Sequence, residues 1–149
     1  MKDPAQAIKD ILVAEGIGNF LTAAPQPPTG WRTAIGRMPD APDTIVLINS
    51  PGGRNPFPHL LYNEPSVSII VRGAKGGYEA ARLKAAAVAA ALLGMESTTV
   101  LGDMYRSCNQ MGDVAYLGQD DTTRPQFALN FWFTVLPAAE AGENRVPIT

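Results

Sequence analysis

Two side chains that most often carry chemistry are nearly missing from this sequence: its 149 residues include one cysteine, Cys108, and one histidine, His59. A single thiol excludes an intramolecular disulfide and cannot alone build a thiolate metal site. A zinc site or a Ser-His-Asp arrangement would rest entirely on His59. That histidine lies in a proline-rich stretch whose only nearby carboxylate is Glu64, which reads as a packing or interface position. Charge is also scarce. Charged residues make up 17% and the net charge is -2, so nothing marks a nucleic acid or an anionic membrane as a dedicated partner. No apolar run is long enough to span a bilayer, and Met1-Lys2-Asp3-Pro4 lacks a signal-peptide core, so the expected setting is cytosolic.

Ligand-binding signatures are missing too. The glycines at 52–53 and 73–77 do not match a phosphate loop, which needs Lys followed by Ser or Thr, nor a dinucleotide turn. Asp103, Asp113, Asp120 and Asp121 are not spaced as a calcium loop, and aspartate-rich turns form for backbone reasons alone. Arg72, Lys75, Arg82 and Lys84 form the one basic cluster. It has no interleaved aromatics, so it reads as a solvated or subunit-contact face. Cys108, on the alternating pattern, shares a strand face with Met104, Arg106 and Gln110, and reads as a half-buried structural thiol. The expectation is no catalytic residue, no cofactor and no metal.

What is present is a core and stiff connections. Hydrophobic residues make up 46%, enough for one compact domain over residues 1–137, with residues 138–149 expected to be a mobile tail. Twelve of the thirteen prolines gather at 25–28, 39–65 and 125–147, stretches expected to lie outside sheet and helix interiors. Asp3 as N-cap, Pro4 at the first helical position and Gln6 as reciprocal cap predict a helix stopped by Gly16. Residues 31–38, 44–49 and 66–72 predict strands, and the alanine-rich run 78–93 a second helix. Short strands follow at 98–101, 104–111 and 114–117. Phe127, Leu129, Phe131, Phe133 and Val135 then alternate along a long strand. This order predicts an α+β fold, a mostly antiparallel sheet with two main helices on one face.

The closing segment, Tyr116-Leu117-Gly118-Gln119-Asp120-Asp121 followed by RPQFALNF at 124–131, resembles the closing hairpin of the tail terminator, or minor capsid, proteins of long-tailed bacteriophages. The likeness extends over about residues 5–136 in the order of its parts: Gly36-Arg37 with Pro39-Asp40, then Gly52-Gly53, the proline hinge 56–65, Val71-Arg72-Gly73 and Tyr78-Glu79. The insert at 25–28 and the tail after Pro137 depart from the family. The resemblance implies a structural virion protein: a ring, usually of six subunits, that caps the tail tube, stops its polymerisation and presents a surface for the head. It implies contacts with the major tail tube protein and a head-completion protein, with DNA passing through the lumen unread. Contact residues expected on that basis are Arg54, Phe57, His59, Tyr62, Arg72, Lys75, Arg82, Asp120, Asp121 and Arg124. A head-closure or adaptor component, an enzyme completed by another chain, and a small ligand-binding domain remain the alternatives.

Overall fold

The last strand in the chain joins the whole sheet. In the computed structural model, which describes residues 1–20 and 30–148, β8 (Pro125–Leu136) alternates buried and more exposed side chains along its length. On one side it pairs antiparallel with β4 (Pro65–Arg72), from Ser66 opposite Trp132 to Arg72 opposite Gln126. On its other side it pairs with two strands in succession, β6 (Asp103–Gln110) and β7 (Ala115–Gln119). These two are halves of one line, interrupted by residues 111–114. Beyond β4 lie β3 (Ile45–Gly53), β2 (Arg32–Ile35) and β1 (Asn19–Phe20), and β5 (Thr98–Val100) flanks β6. The β1–β2 and β2–β3 pairings are parallel and the others antiparallel, which gives one mixed sheet. The proline insert at 25–28 lies outside the described residues.

Two helices supply the apolar cover. In α1 (Pro4–Ala14), Ala5, Ala7, Ile8 and Leu12 are buried; in α2 (Tyr78–Leu92), Ala81, Ala85, Val88 and Leu92 are buried at helical spacing. They share one cluster with Val46, Ile48, Val67, Ile69, Val71 and the inward residues of β8. The helix α1 starts at the predicted N-cap, with Asp3 Oδ1 accepting from the Ala5 N–H at 3.0 Å, but without the expected reciprocal bond to Gln6 among the described residues. The second tie comes from Ser50, whose hydroxyl donates to Asp3 at 2.8 Å and fastens the helix to β3. Small side chains let α2 approach closely: a Cβ at Gly73 would lie 2.8 Å from that of Ala81. On the opposite face, Ala34, Ile45 and Leu47 pack with Met38 and Ile70. That second small core explains why residues 45–48 are buried without a break.

Two expectations change. The prolines are not all outside the sheet: Pro51 lies within β3 at a register shift between Asn49 and Gly52, and Pro65 and Pro125 begin strands. At a bulge or a first position the missing N–H leaves no ladder bond broken. A second bulge, between Tyr105 and Ser107, undoes strict alternation in β6. Cys108 therefore faces Phe133 and the main core rather than sharing a face with Arg106, and burial pushes its thiol up to about 12. After Pro137 the chain returns to the protein, where Leu60 and Val146 form a parallel bridge.

Candidate interaction surface

Residues 54–64 form a strap over one end of the sheet, and Gly53 makes its entry possible. At φ +148° its α-carbon lies so near the returning chain that a Cβ would be 2.5 Å from the Glu64 carbonyl oxygen. The Arg54 N–H donates to that carbonyl at 3.1 Å, and its guanidinium reaches the Glu64 carboxylate at 3.3 Å. The same guanidinium sits 4.4 Å from the centre of the Trp132 ring, on the helix-free face of β8. Tyr62 donates to Glu64 at 3.3 Å and meets Phe57 edge-on at 6.3 Å. Leu61 is fully buried, and Asn63 exchanges two backbone bonds of 2.9 Å with Val135. The strap is thus ordered from below and offers its outer side to solvent.

The C-terminal segment lies across it. Leu61 N–H donates to the Val146 carbonyl and Val146 N–H to the His59 carbonyl, both at 2.9 Å. Arg145 reaches Asn63 Oδ1 at 2.8 Å and Glu143 at 3.1 Å, and its bonds to Glu143 hold that carboxyl below its ordinary pKa. Phe57, Leu60, Val146 and Ile148 remain exposed together, Val146 by 60%. Arg54, Phe57, His59 and Tyr62, expected as contact residues, are brought together here; the exposed His59 takes part through its carbonyl. Trp132, Asn63, Glu64 and Arg145 were missed. Only Trp132 had a sequence signal, as a large aromatic on the polar face of an alternating strand.

Arg72, Asp120 and Arg124 belong to a different place, a buried clamp. Arg124 donates to Asp120 at 2.8 Å, to the Asp40 carbonyl at 2.7 Å and to Asp43 at 3.1 Å. Arg72 donates to the Asp43 and Pro42 carbonyls at 2.9 and 2.8 Å. The two guanidinium groups are 2% and 8% exposed by residue, their donors used inside the protein to hold the loop before β3. Burial, then the neighbouring Arg124 charge, lowers the Arg72 pKa. Partial desolvation of Asp120 is outweighed by bonds from Arg124 and Thr122, which hold its carboxyl at about 2. Asp121 is exposed beside it. Sequence spacing could not show this clamp, because Asp40–Asp43 and Arg124 meet only through strand register.

Lys75 and Arg82 stand apart from both, exposed around the start of α2. Arg82 approaches Glu79 at 3.8 Å, whereas Lys84 turns to the Trp31 ring at 5.4 Å. The basic cluster of the linear sequence is therefore dispersed. Among the described residues, no group of three or more His, Cys, Asp or Glu side chains is placed to hold a metal.

A family model described as "Bacteriophage tail terminator protein" matches residues 10–137. No curated protein matches the chain significantly.

Proposed function

Since that match takes in residues 10–137, the chain belongs to the bacteriophage tail terminator family, and on this premise we propose that it assembles into a homohexameric ring on the end of the completed tail tube. The ring blocks further addition of tube subunits and offers its other side to a head-completion protein, with DNA passing through the lumen without being read. The role is structural and the place is the tail of the virion, at the junction with the head. Assembly occurs in the host cytoplasm.

One observation supports this reading above others: the strap and the C-terminal segment form an exposed apolar surface, Phe57, Leu60, Val146 and Ile148, already fixed by backbone bonds and by Arg145. A contact surface that is ordered before docking loses little conformational entropy on docking. Head-to-tail contacts of this kind close into a ring when the rotation between copies allows it.

The test is deletion of the gene in its phage, followed by electron microscopy of lysates. Overlong, headless tails beside filled, tailless heads are expected. Tails of normal length joined to heads would refute a terminator role, and normal tails left unjoined would assign the protein to head closure instead.

A further inference from the structure

We propose that, within the ring, each copy inserts the Lys75 turn into a groove between the C-terminal ends of α1 and α2 of its neighbour. This deepens the ring reading and rests on it. The groove has a volume of about 520 Å³. Its floor is apolar, from Ile11, Met95 and Val100, and its rim carries Asp10, Glu15 and Glu96.

The electrostatics of this groove are one-sided. Both helices end at it, and neither has a basic residue in its last turn. A helix C-terminus carries about half a negative charge and is normally answered by Lys, Arg or His. Here the sequence adds carboxylates instead. Asp10 is paired with Lys9, but the side chains of Glu15 and Glu96 have no partner among the described residues. A cation from outside is what this site lacks.

The chain itself exposes one at the other end of α2. Lys75 sits on a slim turn, flanked by Ala74 and Gly76, with the residues from Ala74 to Gly76 all exposed and its ammonium unpaired among the described residues. Glu79 in the first turn of α2 is occupied by Arg82. The helix between turn and groove, Tyr78–Leu92, is 15 residues, about 22 Å long. Lys75 therefore cannot reach the groove of its own chain, but it suits that of a neighbour. Charges placed against the helix dipole at both ends forgo local stability, and an interface between copies supplies the missing partner for each. Donor and acceptor patches differ, so the contact is heterologous, the type that builds rings.

Carbodiimide cross-linking, which joins only amines and carboxylates in direct contact, tests this on the purified chain across micromolar to millimolar concentration and on phage particles. Intermolecular links from Lys75 to Glu15 or Glu96 are expected. Lys75→Glu alone, and Glu15→Lys with Glu96→Lys, should each weaken assembly about tenfold or more, and the triple charge swap should restore it. All three positions are exposed, and unchanged melting of each variant separates assembly from folding. An oligomer whose cross-links fall elsewhere, and which Lys75→Glu leaves intact, overturns this contact while the ring reading stands. A chain that is monomeric both in solution and in the particle overturns both.

Discussion

Arg124 shows how much one side chain can fix. It joins Asp120 on its own hairpin to Asp40 and Asp43 more than eighty residues earlier, from an almost dry position. Arg124→Ala would remove one donor from Asp120, which keeps its bonds from Thr122 and the backbone, and would leave the Asp40 carbonyl and Asp43 without theirs, a loss expected to cost about 1–3 kcal/mol in urea unfolding. The pH dependence follows from Asp120. Its folded carboxyl lies at about 2, below the ordinary 3.8, so its contribution is complete above that ordinary value and is lost as pH falls toward the folded one. Acid titration of stability should therefore steepen between about pH 4 and pH 2 in the wild type, and less so in Arg124→Ala. Cys108 gives an independent check. With its thiol pushed up to about 12, it should resist a disulfide reagent at neutral pH and react only as the protein unfolds. Neither clamp nor thiol orientation was legible in sequence, since one depends on strand register and the other on a bulge.

Elements were far more legible than side-chain roles. The strands read at 44–49, 66–72 and 127–135 lie side by side as β3, β4 and β8, because long alternating or β-branched runs carry their own assignment. Leu129 and Phe131 are fully buried at the centre of that sheet. Replacing either by Ala should cost about 2–5 kcal/mol, measured by urea melts; near-wild-type stability of both would contradict their core placement. The extension of β3 past Pro51 was hidden because proline usually ends a ladder, and only the bulge admits it. Gly53→Ala offers a sharper test of the strap. The added methyl would meet the Glu64 carbonyl and Ser66 N–H, so the variant should loosen residues 54–64, seen as faster amide exchange at Leu61.

For the whole molecule, the family could be read from the order of motifs, whereas the seating of residues 138–148 could not. Glycine, alanine, glutamate and asparagine in that segment suggest mobility, and its attachment depends on Arg145 meeting Asn63, and Val146 meeting His59 and Leu61, through space. Arg145→Ala should loosen the segment with little change in melting, while weakening the proposed ring in native mass spectrometry. Intact assembly with a loosened segment would remove this surface from the ring contacts.

The position of β8 has a consequence for biosynthesis. It is the strand through which β1–β4 connect with β5–β7, yet it leaves the ribosome after all of them. A nascent chain that has reached residue 120 holds β1–β4, the β5–β6 pair and an unpaired β7, with the strand that joins them still to come. Such long-range closure is slow, and the waiting edges are prone to stray association. Both faces of the sheet are completed only once translation has delivered residues 125–136, so in the proposed role a partly made subunit has no finished face to present to a tail tube.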